Sequence, residues 1–352
     1  MEHAKFSASG SYRWTNCSAS LSLEENIVSL DSSFSKEGVF AHDVAYKTVT
    51  NNLDEEDKIF ITDEMLSSAK LYASYIDNLT TDKSENYFEK KVYFGDSINV
   101  DDSLAFGTAD AIIYNAESKT LHVIDYKYGK GIKVDAKDNT QLILYAIGAY
   151  QELSKDKDKD INTITIHIVQ PRINNFNFHS FSLEELVNVW IPFFKQKIEI
   201  IKTKPVFNPS YFVCKFCKAK PICSALKSKT IDLHSFISQN SKIESVKEDE
   251  IKDILLNSNL ILDYLTSIKD YVYNKALESE IFAGHTIAKG KSVRKIKEEL
   301  LPDLEKEIGM GLHKKTPLGV IEIEKILKTF NRDISDFVQI IEQKPVLIQV
   351  NN

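Results

Sequence analysis

Gly107-Thr108-Ala109-Asp110 and Asp125-Tyr126-Lys127 are the stretches of this chain whose residue types can do chemistry together. Each closes or follows a short β-branched, apolar run, and Asn115 to Lys119 between them reads as a hairpin turn. Along a strand, residues i and i+2 face the same way, so Asp125 and Lys127 project together. Asp110, on the neighbouring strand, brings a second carboxylate to the same spot. Two oxygen-donor carboxylates beside a lysine suit a Mg²⁺ or Mn²⁺ site for splitting phosphodiesters. Taken alone, an Asp-x-Lys on a strand is a solvated face or an ion pair. Its neighbours argue for more. Leu121 and Val123 continue the face of Asp125 and Lys127, while His122, Ile124 and Tyr126 occupy the other, which implies a strand covered on both sides. Charges at the end of such a strand are costly unless paired or bound to metal.

The elements that must hold these residues follow from periodicity. A short helix is predicted around Arg13 to Cys17, a longer one over Glu37 to Thr50 carrying His42, and another over 63–79 with Leu66, Ala69, Leu71 and Ile76 available for burial. Strands are predicted at Tyr87 to Phe94, Leu104 to Tyr114 and Thr120 to Tyr128. Gly129 and Gly131 mark the exit, and Asp138 or Asn139 caps a helix over 139–153. That helix brings Gln141 and Tyr145 onto one face, because i and i+4 are neighbours. Ser154 to Asp160 reads as an exposed loop, the alternating Ile164, Ile166 and Ile168 as a further strand, and Leu183 to Thr203 as a helix. The order of strands and helices predicts an α/β protein with a mixed sheet flanked by helices. Residues 1–230 are expected to form this core. Residues 231–352 are expected to be a mainly helical C-terminal region, with a long helix at 245–278, a Gly284-to-Arg294 segment and a final helical pair.

The 352 residues, 43% hydrophobic and 27% charged, are ordinary globular composition with enough apolar material for a sizeable core. No apolar run reaches the length of a membrane span, and Met1-Glu2-His3-Ala4-Lys5 lacks a signal-peptide pattern, so no membrane role and a cytoplasmic location are expected. The net charge of −7 is unevenly spread: residues 202–229 hold seven lysines and no acid, and residues 285–297 hold five Lys or Arg and no acid. Local basic patches, not total charge, make an electrostatic footprint for nucleic acid, although lysine-rich solvated surfaces look the same in sequence. Phe207, Tyr211, Phe212 and Phe216 are interleaved with the first patch, where core packing is expected for most of them and base stacking is the alternative.

The four cysteines are Cys17, Cys214, Cys217 and Cys223, and none is left over from a single site using all four. Disulfides are not expected in a cytosolic chain. Four thiolates suit a closed tetrahedral zinc site and suit an iron–sulfur cluster equally, and spacing does not separate the two. Either would clip the first helix onto the segment that closes the core.

Together these residues resemble a known family. Gly107-x-x-Asp110, Asp125-x-Lys127 and Gln141-x3-Tyr145 resemble the RecB-type branch of the PD-(D/E)XK nucleases, with a restriction-endonuclease-like core. Cys17 upstream and Cys214, Cys217 and Cys223 downstream resemble its four-cysteine subgroup, which includes AddB and the CRISPR-adaptation nucleases. Arg13-Trp14-Thr15-Asn16-Cys17 and Glu37-Gly38-x3-His42 further resemble phage and prophage RecB-like proteins, as do Gly284, Gly290 and Arg294 near the C-terminus. The resemblance covers roughly residues 7–228 with specific motifs and the last third only loosely. It implies that Asp110 and Asp125 bind Mg²⁺ or Mn²⁺, with the Tyr126 carbonyl and His42 completing the shell. Lys127 would orient the attacking water, Gln141 and Tyr145 would position DNA, and the four cysteines would hold a [4Fe–4S] cluster in preference to zinc. A proline often precedes the first carboxylate of the family, and Gly107-Thr108-Ala109 stands there instead. Glu89 sits where related proteins often carry an acidic residue, although Glu-Lys-Lys is also an ordinary sheet edge.

The function implied is a metal-dependent deoxyribonuclease acting on DNA ends or single strands in recombination, repair or replication, in a bacterial or phage-infected cell, with a helicase or recombinase as partner. The alternatives are a non-catalytic DNA-binding or scaffold protein that keeps the fold, and a zinc-stabilised binding module.

Overall fold

The computed structural model describes residues 4–25, 27, 33–54, 60–239, 247–279, 281–283 and 285–286. In chain order, α1 is Ser11–Asn16, α2 Ser20–Glu24, α3 Ser33–Val49 and α4 Asp63–Leu79. Strands β1 (Ser84–Tyr93), β2 (Phe106–Asn115) and β3 (Thr120–Tyr126) follow, then α5 (Thr140–Leu153), β4 (Thr163–Gln170) and β5 (Asn175–Ser182). Helix α6 (Leu183–Glu185) runs through a π-helical stretch, Leu186–Trp190, into α7 (Ile191–Thr203). Helices α8 (Tyr211–Cys214), α9 (Ser224–Gln239) and α10 (Glu248–Ser279) come next, then the short strands β6 (Ile281–Phe282) and β7 (His285–Thr286). Contacts divide the chain into two units, Met1–Tyr271 and Val272–Asn352, and β6 pairs antiparallel with β7 within the second. The expected Gly284-to-Arg294 segment and final helical pair fall almost wholly outside the described residues. Among those described, no helix is long and apolar enough to cross a membrane.

The first unit is a mixed α/β fold with one five-stranded sheet in the order β1-β2-β3-β4-β5. Only β3 and β4 run parallel, joined by the α5 crossover; the other neighbours are antiparallel. Both faces of the sheet are covered, as the apolar residues on both sides of β3 require. Leu121 and Val123 pack with Ile164, Ile166 and Ile168 of β4 against α5 and α7, in a core that includes Leu142, Ala146 and Phe194. Ile124 and Tyr126 pack on the other side, with Ala41 and Val44 of α3 and Met65, Ala69, Tyr72 and Ile76 of α4. Helix α4 thus buries the stripe Met65–Ala69–Tyr72–Ile76, which includes the expected Ala69 and Ile76 but not the expected Leu66 and Leu71. Leu66 is only half-buried and Leu71 is exposed. Strand β5 was absent from the expected elements, because Phe176 and Phe178 leave its apolar side on the surface.

The period-two rule breaks at one place. Tyr87 packs in the α5-side core and Phe88 in the other, yet Val92, an even number of residues beyond Phe88, returns to the α5 side. On β2, Ala109 and Ile112 likewise share the α5-side core despite odd spacing. The pairing of β1 with β2 keeps its register across the break, from Phe88↔Ala111 to Lys90↔Ala109, so Glu89 stands opposite Asp110 without a ladder bridge between them. Glu89 has φ 47°, a left-handed conformation that costs a residue with a Cβ about 1–2 kcal/mol.

Helix α5 is capped by the Asn139 side chain, which accepts the N–H groups of Gln141 and Leu142. It is apolar on nearly every side because it lies against β1, β2, β3 and β4. Gly148 permits that approach: a Cβ there would meet the Tyr93 carbonyl oxygen and the Val92 Cβ, each at 2.9 Å. In an open helix Gly→Ala gains about 1 kcal/mol. Here overpacking against backbone costs about 1–3 kcal/mol. Gly148→Ala is therefore expected to lower the urea midpoint despite its better helix propensity; an unchanged or raised midpoint would show that β1 yields freely.

Candidate functional site

The site is built where β2 and β3 part. Their ladder ends at Ala111↔Ile124, one pair short of bringing Asp110 opposite Asp125. The Tyr126 N–H instead donates to Asp110 Oδ2 at 2.7 Å, while the Lys127 N–H continues the pairing with β4 through the Val169 carbonyl at 2.8 Å. Strand β3 thus leaves one neighbour and keeps the other, and the gap opens beside the two carboxylates. Helix α3 lies over it, with His42 Nδ1 3.1 Å from Asp110 Oδ1 and the His42 ring edge-on to Tyr126 at 5.3 Å.

Helix α5 supplies the other wall. Gln141 Nε2 donates to Asp125 Oδ1 at 3.0 Å and to the Tyr145 hydroxyl at 3.2 Å, and its Oε1 accepts from Lys127 Nζ at 3.3 Å. Gln141 therefore ties the carboxylate and the ammonium of Asp125-x-Lys127 into one arrangement. Lys127 Nζ lies 3.0 Å from Asp125 Oδ2, yet that oxygen is buried and meets no hydrogen-bond geometry. Gly107 makes room for Tyr145, since a Cβ at that position would lie 2.7 Å from Tyr145 Cε1. All six residues predicted for catalysis, His42, Asp110, Asp125, Lys127, Gln141 and Tyr145, line one cleft of about 550 Å³. Glu89, Asp43, Tyr46 and Thr108 line it too.

The electrostatics are those of crowded, half-sheltered charge. Burial drives the Asp110 carboxyl up, but the His42 charge and hydrogen bond, Lys127 and the Tyr126 N–H outweigh it and hold Asp110 below the usual carboxylate range. Burial pushes Asp125 above that range, with Lys127 opposing and Asp110 adding to the rise. His42 is raised: burial lowers it, and the Asp110 charge and hydrogen bond overcome that. Lys127 is raised as well, because Asp125 and Asp110 outweigh its desolvation. The Glu89 side chain is reached by solvent, yet desolvation by its surroundings and then the nearby Asp110 push its carboxyl up to about 7. Among the described residues, His42, Glu89 and Asp110 are the one group of three or more His, Cys, Asp or Glu side chains whose donor atoms all lie within 4.8 Å of each other. Sequence reasoning left Glu89 out of the predicted metal ligands; its chance of a role rested on position alone, because an acid at a strand edge carries no motif.

The four cysteines are free and line a second, small cavity between α1 and the chain around α8. Cys17 ends α1 and Cys214 ends α8, while Cys223 follows the single turn Lys220–Ile222. The Asn208 N–H points to Cys17 Sγ at 3.5 Å and the Leu226 N–H to Cys223 Sγ at 3.4 Å. Burial raises the Cys17 thiol, pushes Cys214 up to about 11 and takes Cys217 to about 12. Thiolates are therefore costly in this cavity without a cation. Contrary to expectation, most aromatics beside it are not core: Phe207, Phe212 and Phe216 are exposed, Phe216 by 72%. Several lysines of the basic stretch are held internally. Lys202 Nζ donates to the Asn99 carbonyl, Lys215 Nζ to the Tyr211 hydroxyl and Lys220 Nζ to the Lys215 carbonyl.

A family model described as "Protein of unknown function (DUF2800)" matches residues 3–352. A solved structure described as "Crystal structure of SSO0001" aligns over 58% of this chain and 92% of its own, at 17% identity and a TM-score of 0.26.

With no cation bound, the buried Asp125 charge is a burden on the fold. In EDTA, Asp125→Asn is expected to melt about 2 °C or more above the wild type, since a shift of this size corresponds to roughly 1 kcal/mol. A melting point several degrees lower would show that the Lys127 pairing outweighs the burial of the charge.

Proposed function

From a chain that belongs to the DUF2800 family, a family of unknown function, we propose a Mg²⁺- or Mn²⁺-dependent nuclease that hydrolyses DNA phosphodiesters at ends or in single strands. One observation carries the reading: Asp110, Asp125, Lys127 and His42 converge on one cleft, with Lys127 Nζ 3.0 Å from the buried Asp125 Oδ2. A hard divalent cation takes such oxygen donors, and Asp110 and Asp125 with the Tyr126 carbonyl and His42 would hold it. The bound ion supplies positive charge against the phosphate oxygens.

The chain's own residues do the rest. Lys127 orients the attacking water and faces the negative charge that grows on the phosphoryl oxygens. The water oxygen forms its bond to phosphorus as the bond to the leaving sugar oxygen breaks, and the water's proton passes through solvent to that oxygen. Gln141 acts as a positioning residue, because its amide fixes both Asp125 and Lys127. Tyr145, packed on Gly107, closes the cleft beside them.

For the cavity that the four cysteines line, the reading keeps the iron–sulfur cluster that the sequence resemblance implies, with zinc as the alternative. The buried thiols and the N–H groups directed at Cys17 and Cys223 fit thiolates bound to such a group. In this reading the group holds α1 to the α8 region, and a helicase or recombinase would deliver the DNA.

Two measurements test the proposal. Wild-type protein with Mn²⁺ is expected to degrade end-labelled linear DNA, Asp125→Ala to lose on the order of 10²-fold or more in rate, and Gln141→Ala about 10- to 100-fold; equal behaviour of wild type and Asp125→Ala, with DNA still bound, would establish a binding protein instead. Anaerobically purified protein is expected to be brown and to contain iron and sulfide, with Cys214→Ser losing both the colour and several degrees of thermal stability. Colourless protein with stoichiometric zinc would replace the cluster with a zinc site.

A further inference from the structure

One face of the sheet runs on past the cleft. Beyond the break at Glu89, Lys91 and Tyr93 of β1 share a face, as do Phe106 and Thr108 of β2. The register pairs Lys91 with Thr108 and Tyr93 with Phe106. Val92, Phe94 and Ala109, which alternate with them, pack in the α5-side core. The four residues therefore face the side that α3 and α4 cover farther along the sheet. Here that side is open: Tyr93 is 41% exposed, Lys91 and Thr108 are exposed, and Phe106 is half-buried. Thr108 also lines the cleft, so the open face is continuous with it.

The Tyr93 and Phe106 rings lie 5.9 Å apart, tilted by 51°. Lys91 Nζ sits 4.0 Å from the Phe106 ring centre and 5.1 Å from that of Tyr93. Lys90 points to the other face and pairs with Glu152 at 2.6 Å, whereas Lys91 rests on the two rings. The acids of the following loop are turned to their own backbone: Asp101 takes the Ser103 N–H at 2.8 Å and Asp102 the Asp96 N–H at 3.1 Å. An ammonium held on aromatic faces suits an anion that carries a flat ring of its own. A nucleotide is such a group, with its phosphate for the lysine and its base for the rings. Bases inside a duplex keep their faces against their neighbours, so only an unpaired base can offer one. Four residues of β2 separate Phe106 from Asp110, about 13 Å at the rise of a strand. A base held there belongs to a nucleotide flanking the one in the cleft.

We propose that Tyr93 and Phe106 form a stacking platform for one unpaired base of single-stranded DNA, with Lys91 on the phosphate beside it. The strand then passes Thr108 to enter the cleft. This deepens the nuclease reading above and rests on it. It also selects among substrates: single strands and frayed ends engage the platform, and intact duplex does not.

The test is fluorescence anisotropy with the full chain in EDTA, where binding is read without cleavage. The probes are a labelled oligothymidylate of about 12 nucleotides and a duplex of the same length. Wild type is expected to bind the single strand more tightly than the duplex. Tyr93→Ala is expected to weaken single-strand binding roughly 5- to 100-fold and to leave duplex binding unchanged, while Tyr93→Phe keeps the ring and the wild-type affinity. Lys91→Ala is expected to lower the slope of log affinity against log salt by about 0.7, the share of one phosphate contact on a single strand. Both side chains are solvent-reached, so the melting curves of all three variants are expected to match the wild type. Equal single-strand affinity in wild type and Tyr93→Ala overturns the platform and leaves the metal-dependent cleft standing. Equal losses for single strand and duplex in Tyr93→Ala overturn base stacking, and an unchanged salt slope in Lys91→Ala overturns its phosphate contact. A wild type that binds neither probe overturns this inference together with the DNA reading beneath it. Binding as expected without any Mn²⁺-dependent cleavage removes the nuclease reading alone and supports the platform.

Discussion

Placing carboxylates inside a covered sheet is the constraint around which this molecule is organised. Asp125 is 3% exposed and Asp110 only a little more accessible; Asp125 stands near the end of β3 and Asp110 midway along β2, in a sheet with apolar residues on both faces. Burying a charge is tolerated only when partners surround it. Each covering layer sends one. Helix α3 sends His42 to Asp110, α5 sends Gln141 to Asp125, and β3 itself sends Lys127 back along its own face. The elements that build the core are thus the same ones that answer the charge, and the cleft sits where neither layer alone would suffice.

This explains details that packing alone does not. The parting of β2 from β3 spends a backbone N–H on a carboxylate instead of a ladder partner. Gly107 gives up a side chain so that a tyrosine ring can close against β2. Glu89 adopts a conformation that a residue of its type normally avoids. Sites of function collect such departures, because the geometry that serves chemistry is seldom the geometry that best serves stability.

Much of this was legible before any coordinates. The two-sided apolar pattern of residues 121–126 announced a strand sandwiched between layers, and i, i+4 spacing placed Gln141 and Tyr145 on one helical face. Their grouping with Asp110, Asp125 and Lys127 in one cleft agrees with that reading. What stayed hidden had physical reasons. Strand β5 alternates in the ordinary way but turns Phe176 and Phe178 outward, so it does not announce a buried face. On α4 two apolar stripes compete, and only the layer beneath chooses the one with Met65 and Tyr72 over the one with Leu71. The break in alternation at Glu89 and Asp110 cannot be read from a period-two pattern, since it is a violation of that pattern. Glu89, noted in the sequence by position alone, therefore could not be placed beside Asp110 from the pattern.

The placement of Cys17 carries a consequence for how the chain can be assembled. One wall of the cysteine cavity comes from α1 and α2 and the rest from residues 207–226, so most of the first unit lies between them in sequence. Arg13 reinforces the seam, bonding the Phe216 carbonyl and Glu24, while the Glu24 carboxylate also takes the Lys218 N–H. During synthesis the opening half of this enclosure is made first and must wait, apolar and incomplete, until the last cysteine emerges. The enclosure is therefore a check on completeness: a chain cut short before Cys223 lacks one of the four cysteines that line it.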